Sequence, residues 1–274
     1  MAATHILILL ATGLFTGFAS GILGLGGAFI MTPVQYLVFT AMGISPDVAI
    51  KMAFGTSLMV VLPTAISGAW RHHRKGAVHW RTAIIMGSGT LVVALIGATI
   101  ATHLPGEALR ITFGVVLLAG GIWMLINKRL NTTEEPKCPT CLLLAWAIPI
   151  GLVTGIIGVG GGIVAVPILV LALKFRMHNA VATSLGIVVF SSTGGIIGYI
   201  VNGLGVAGLP AYSLGYVNLP AWLLLTVTSI GMAQVGAITA HRLSAKVLRY
   251  LFIALMFYMA LRMLGVFEWL GLPL

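Results

Sequence analysis

Ten apolar segments of unequal length, separated by short polar breaks, run along the 274 residues. In the first half they cover 4–23, 28–43, 48–70, 80–103 and 107–127; in the second, 141–157, 163–173, 178–201, 219–240 and 246–266. Segments of roughly 20 apolar residues predict helices that cross a hydrocarbon core about 30 Å thick. The apolar runs are continuous rather than alternating, which excludes a lipid-spanning β-barrel. Two segments break the pattern. Segment 163–173 is too short to cross at about 1.5 Å per residue, and 28–43 is also short. Each is preceded by glycines and interrupted by proline, in GLGGAFIMTP at 24–33 and GVGGGIVAVP at 158–167. Glycine costs a helix about 1 kcal/mol against alanine and proline about 3. The first two segments of each half are therefore predicted to form a hairpin that enters the membrane and turns back at the glycines.

The two glycine stretches belong to a duplication. KMAFGTSL at 51–58 is echoed by HNAVATSL at 178–185, GAVHW at 76–80 by GYVNL at 215–219, and ALIGATIATHL at 94–104 by AQVGAITAHRL at 233–243. Four landmarks in one order divide the chain into a first repeat, 1–127, a polar linker, 128–140, and a second repeat, 141–274. Charge then orients them. The loops at 71–75 (RHHRK) and 128–140 are basic, whereas GISPD at 43–47 and HLPGE at 103–107 are not. In the second repeat the loop matching RHHRK, residues 202–218, carries no charge, and those matching GISPD and HLPGE, 174–178 and 241–246, are basic. Basic loops lie on the cytoplasmic side, so the repeats are predicted to be inverted, with 71–75, 128–140, 174–178 and 241–246 cytoplasmic. The expected fold is an all-α integral membrane protein of two inverted-topology repeats. Each has a glycine-rich re-entrant or broken helical hairpin plus three spanning helices.

Composition agrees. The chain is 59% hydrophobic and 7% charged, with mean hydropathy +1.10, against about 25% charged residues in a soluble domain. The net charge of +10 is explained by these loops and calls for no nucleic acid. MAATHILILL lacks a basic leader and reads as mature membrane sequence. Cys138 and Cys141, in KCPTC, are too few for a tetrahedral zinc site and read as incidental thiols. No metal or cofactor is expected. The partners are the bilayer and a small solute, with room for a homo-oligomer.

Broken backbone at membrane depth survives only against protein or a water-filled cavity. A glycine turn leading into a half-helix aims unpaired N–H groups and a positive dipole end at that cavity, which suits an anion. The candidate binding residues are Gly24, Gly26, Gly27, Gly158, Gly160, Gly161 and Gly162, with Pro33 and Pro167 expected to kink or stop the half-helices. Thr56, Ser57, Thr183 and Ser184 are candidate hydroxyl ligands, although a lone membrane hydroxyl ordinarily bonds the preceding turn. Gln35 and Gln234 either touch solute or tie helices together. Lys51 and His178, five residues before each Thr-Ser pair, are candidate cations near the mouths, His178 also for a proton; snorkelling is the plainer role for Lys51. Asp47 and Glu107 read as ordinary loop residues. The scattered Gly13, Gly17, Gly87, Gly97 and Gly120 read as close helix packing.

Two halves, each with GxGG preceding a proline and a [GA]-T-S-L segment, resemble the TauE/SafE sulfite-exporter family over about residues 8–266. The resemblance implies secondary transport of sulfur-containing anions such as sulfite or organosulfonates, outward and proton-driven. It carries its motif onto Gly24, Gly26, Gly27, Pro33, Thr56 and Ser57, and onto Gly158, Gly160, Gly161, Pro167, Thr183 and Ser184. Ala28 stands where the second half has Gly162, so the two hairpins are chemically unequal. An uncoupled anion channel and an importer of a related anion are the alternatives. An intramembrane enzyme lacks a visible nucleophile–base pair or HExxH.

Overall fold

A computed structural model of the chain describes residues 3–23, 27–126, 139–239 and 245–269. The first half comprises α1 (Ala3–Leu23), α2 (Ala28–Ala41), α3 (Pro46–His73), α4 (Trp80–His103) and α5 (Gly106–Ile126). The second comprises α6 (Thr140–Ile157), α7 (Gly162–Pro167), which runs into a π-helical turn at Ile168–Ala172, and α8 (Met177–Gly203). A small hairpin of β1 (Ser213–Leu214) and β2 (Val217–Asn218) follows, then α9 (Leu219–Thr239), α10 (Ala245–Met263) and α11 (Val266–Trp269). Among the described residues six helices, α1, α3, α4, α5, α6 and α8, are long and apolar enough to cross a membrane. This is an all-α, multi-pass membrane protein.

The helices α3 and α8 form its axis. Their apolar windows are 78% and 72% buried, against 28–39% in the other four candidate spans. Glycine makes their approach possible. A Cβ on Gly195 would lie 2.6 Å from Leu58 Cδ1, and one on Gly68 would lie 3.0 Å from Leu185 Cδ1. Leu58 and Leu185 are the same residue of the repeated TSL motif. Each therefore seats on the other helix's glycine, and the two helices run antiparallel, a self-complementary contact of the kind a two-fold axis generates. Around this axis α1 packs on α9 and α6 on α4, again matching pairs, while α5 packs on α10.

Charged residues sort by end. Asp47 begins α3 and Arg71 ends it. Beside Arg71's end lies the turn at His79, whose ring meets Phe175 edge-on at 5.2 Å and whose Nε2 is 3.2 Å from Asn179 Nδ2. Residues 71–75 and 174–176 thus share one end. At the other, Asp47 Oδ1 accepts from the Gly106 amide at 2.6 Å, joining GISPD to HLPGE.

Several sequence expectations change. Arg71, His72 and His73 are not loop but the last turn of α3, where positive charge complements the helix C-terminus. The uncharged stretch 202–218 carries the β-hairpin, with Ser213 opposite Asn218. Residues 215–218 of that hairpin are buried, and the Tyr216 amide donates to the Tyr199 carbonyl at 3.2 Å. Burial, and secondarily the Asp47 carboxylate, raises the Tyr216 phenol above its ordinary pKa. The arms of each glycine hairpin are unequal. α1 and α6 have 21 and 18 residues, but α2 has only 14 and α7 with its π-turn ends at Ala172. The expected linker 128–140 lies outside the described residues up to Cys138, as does 241–244 of the loop 241–246. Cys141 is an exposed free thiol at the start of α6.

Candidate functional site

Three of the four residues from Gly158 to Gly161 have left-handed backbone: Gly158 at φ 69°, Gly160 at φ 73° and Gly161 at φ 74°. Side chains rarely tolerate that conformation. Gly158 closes α6, its amide donating to the Thr154 carbonyl at 2.9 Å, and Gly161 caps α7. Space demands glycine as much as conformation does. A Cβ would sit 2.5 Å from Phe54 Cβ at position 158, 2.7 Å from Val61 Cγ1 at 160 and 2.3 Å from Thr154 Oγ1 at 161.

The turn is buried throughout, Gly158 to Gly162 included, and it is walled by protein. Val61 of α3 and Val188 of α8 stand against Gly160. Ser191 Oγ donates to the Gly160 carbonyl at 3.4 Å. Ser192 Oγ is fully buried and has no hydrogen-bond partner among the described residues; it lies 3.5 Å from where a Gly160 Cβ would be. The amides of Gly162 and Ile163, in the first turn of α7, have no intrahelical acceptor by construction. The turn thus carries two amides without intrahelical acceptors and, beside Gly160, a buried hydroxyl without a partner among the described residues.

The first half repeats the plan with other chemistry. Gly27 caps α2 at φ 68°, 3.0 Å (from an added Cβ) to the Thr16 carbonyl oxygen; Gly24 and Gly26 lie outside the described residues. Thr32 Oγ1 and Gln35 Nε2, on one face of α2, donate to Ser57 Oγ at 2.8 and 2.9 Å. All three are fully buried, and Gln35 Oε1 is left without a partner. Val166 and Leu169 occupy the matching places in the second half, so Ser184 Oγ bonds back to the Val181 carbonyl at 2.8 Å. The α2 helix continues through Pro33 to Ala41, whereas the chain turns π-helical directly after Pro167.

Thr56 and Thr183 carry the same bond in each half. Thr56 Oγ1 accepts from the Asn218 amide at 3.0 Å, and Thr183 Oγ1 from the His79 amide at 3.1 Å. His79 and Asn218 are the matching residues of GAVHW and GYVNL, each just before the next helix. These hydroxyls hold the start of α9 against α3 and of α4 against α8. Lys51, buried, is bonded to Asp47 Oδ2 at 2.8 Å, so its charge is already matched. The side chain of His178 lies outside the described residues.

Sequence reasoning passed over Thr32, noted Ser192 only as following the Thr183-Ser184 pair along its helix, and read Asp47 as an ordinary loop residue. Asp47 is a node, binding both Lys51 and the first amide of α5. Its signal was legible, since it stands four residues before Lys51 in the first turn of a helix. Arg71 and Gln234, distant in sequence, meet through a bond from Arg71 Nη2 to Gln234 Oε1, and Gln234 Nε2 donates to Ser67 Oγ at 3.1 Å. Among the described residues no three His, Cys, Asp or Glu side chains gather as metal ligands do.

The family whose profile matches is described as sulfite exporter TauE/SafE, over residues 9–263. A "probable membrane transporter protein" of Methanocaldococcus jannaschii is 30% identical over 259 residues, 94% of each chain. One from Haemophilus influenzae is 29% identical over 262 residues, 95% of this chain and 98% of its own. One from Bacillus subtilis is 25% identical over 214 residues, 72% of this chain and 78% of its own. No solved structure matches the chain.

Proposed function

The chain belongs to the sulfite exporter TauE/SafE family, and on that premise we propose that it is a secondary transporter exporting a small sulfur-containing anion, such as sulfite or an organosulfonate, in exchange with protons. The family is described as a sulfite exporter and the relatives as probable membrane transporters; the anion, the direction and the coupling are inferred from the chemistry of the site. One observation carries it. The Gly158–Gly162 turn is buried between α3 and α8 beside the unpartnered Ser192 hydroxyl. There the α7 amides and Ser192 bind the anion from the second half. The matching first-half role falls to Gly27 and the Thr32–Gln35–Ser57 cluster, whose Ser57 lies on α3 between Phe54 and Val61, the residues against the Gly158–Gly160 turn.

The inverted-repeat reading is supported by the antiparallel, reciprocal Leu58–Gly195 and Leu185–Gly68 contacts. The paired Thr56 and Thr183 bonds support it too. The end bearing Arg71, Arg74, Lys75, Lys174 and Arg176 is then the cytoplasmic one. That end attracts anions from inside, as export requires. A carrier fits better than a channel, because the seam of α4 and α8 is shut by glycine contacts while that of α3 and α9 holds a cavity. A channel needs a path open to both sides at once.

Reconstitution tests the reading. Protein in liposomes moves sulfite or a sulfonate uphill when a proton gradient is imposed, and Gly160→Val, which drives side-chain atoms into Val61, reduces flux to background in a variant that still elutes as a monodisperse species. Normal flux in that variant removes the turn as the site. Flux that never exceeds electrochemical equilibrium makes the protein a channel.

A further inference from the structure

Between α1, α3 and α9 lies a cavity of about 70 Å³, lined on its polar side by Ser20, Thr64, Ser67, Arg71, His72 and Gln234. It shares Ser67, Arg71 and Gln234 with an adjoining open pocket of about 390 Å³ that adds Trp70, Arg74 and Lys75. A buried water needs about 10–15 Å³ on this kind of measure, so the inner cavity has room for a small polyatomic ion and not for a peptide or nucleotide. Among the described residues, no carboxylate lines either space. Arg71 is bonded there to the neutral amide of Gln234, and Asp47 lies at the opposite end of the same helix. A guanidinium held by an amide, with hydroxyls around it and no acid, retains its full charge for a passing anion.

Packing does not require this set of residues. Carrying the register of the repeated motifs onward puts Gly194 in the place of Ser67, Gly198 in that of Arg71, Leu91 in that of Ile230 and Leu95 in that of Gln234. In that matching seam the helices touch: a Cβ on Gly194 would lie 2.0 Å from the Leu91 carbonyl oxygen, and one on Gly198 would lie 3.0 Å from that of Leu95. One seam is sealed by glycine. The other is propped by a cation, an amide and hydroxyls. Its inner end, Thr64, is three residues, or about 4.5 Å of helix rise, from Val61, which touches the Gly160 turn.

Building on the transporter reading, we propose that this cavity is a second, outer anion site, with Arg71 the receiving cation, Gln234 its positioning residue, and Ser67 and Thr64 the hydroxyls that pass a small oxyanion inward to the glycine turn. It is the entrance on the basic side.

The test uses a thiol at the site. In protein carrying Cys138→Ser and Cys141→Ser, Ser67→Cys is reacted with two methanethiosulfonates of similar size, one bearing a sulfonate and the other a quaternary ammonium, each rate divided by that for a free thiol. The sulfonate reagent should react faster on the order of tenfold, as a unit charge within a few ångströms of a guanidinium implies. Arg71→Gln should bring the ratio near one, and Arg71→Lys should restore most of it. Millimolar methanesulfonate should slow labelling only while the cation is present. A merely structural Arg71 would change both rates together and leave their ratio fixed; that result, or a ratio favouring the cationic reagent, overturns the proposal. Gln234→Leu, which needs no loss of charge, serves if Arg71→Gln does not fold, and should lower the ratio severalfold; an unchanged ratio there also overturns it. Gly160→Val separates the two readings: it should abolish flux and leave the ratio intact. Retained flux condemns the glycine turn alone, and a ratio indifferent to Arg71 condemns the outer site alone.

Discussion

The seam of α4 with α8 and the seam of α9 with α3 are made from matching stretches of the two sequence repeats, yet one is closed and the other holds a polar cavity. Small residues explain the first. A Cβ on Gly186 would lie only 2.9 Å from Ala83 Cβ, too close to fit unmoved, and Gly194 and Gly198 bring α8 onto the α4 backbone. Within lipid, where helices gain little from hiding apolar surface, such close approach is a main source of association. The second seam has Met59, Ser67 and Arg71 at those three places. Their bulk and polarity hold α9 away, and the Trp222 indole reaches across to the Met59 carbonyl at 3.0 Å. A repeat pair need not be symmetric at every level: the axis is shared, and the gates differ.

The sharpest way to break this contrast is to load the closed seam. Gly194→Leu forces atoms into the Leu91 carbonyl, and overpacking of that kind costs about 1–3 kcal/mol or more. At about 2–4 °C per kcal/mol for a chain of this size, the melting temperature in detergent should fall by about 10 °C. Ser67→Leu, at the matching position, enters a cavity and should cost less than half as much. Equal losses would show that the two seams are not distinct. A second effect, of similar size, compares the hydroxyls beside the half-helices. Ser57→Ala strands the buried donors of Thr32 and Gln35, at about 1–3 kcal/mol for each unmet group. Ser184→Ala gives up one bond to its own helix, so scanning calorimetry should separate the two by several degrees. The smallest effect tests likeness rather than difference. Thr56→Val and Thr183→Val each remove one acceptor from a helix-start amide, about 1 kcal/mol apiece, and their melting shifts should agree within about 1 °C.

The hydrophobic pattern made the helices legible because lipid leaves a backbone little choice. Segments 80–103 and 141–157 match α4 and α6 to within a residue. The glycine turns were legible too, since only a left-handed backbone or a close approach explains three glycines where a helix should run. The Thr-Ser pairs were seen, but not their use. Whether Thr56 accepts from a solute or from Asn218 depends on where residue 218 returns to, and a separation of 162 positions along the chain does not announce that. Arg71 looked like one more basic loop residue. Its meaning required α9 to place Gln234 against it.

Chain order and residue type alone determined that this protein lives in a membrane, that its halves carry matching motifs in one order, and that its helices break at glycine, because these follow from hydropathy, repetition and backbone conformation, which are local properties. Which seam is sealed and which stands open, and which hydroxyl keeps a vacant lone pair, were decided only by tertiary structure. Those outcomes depend on contacts between residues more than a hundred positions apart, and on the fit of one helix surface to another.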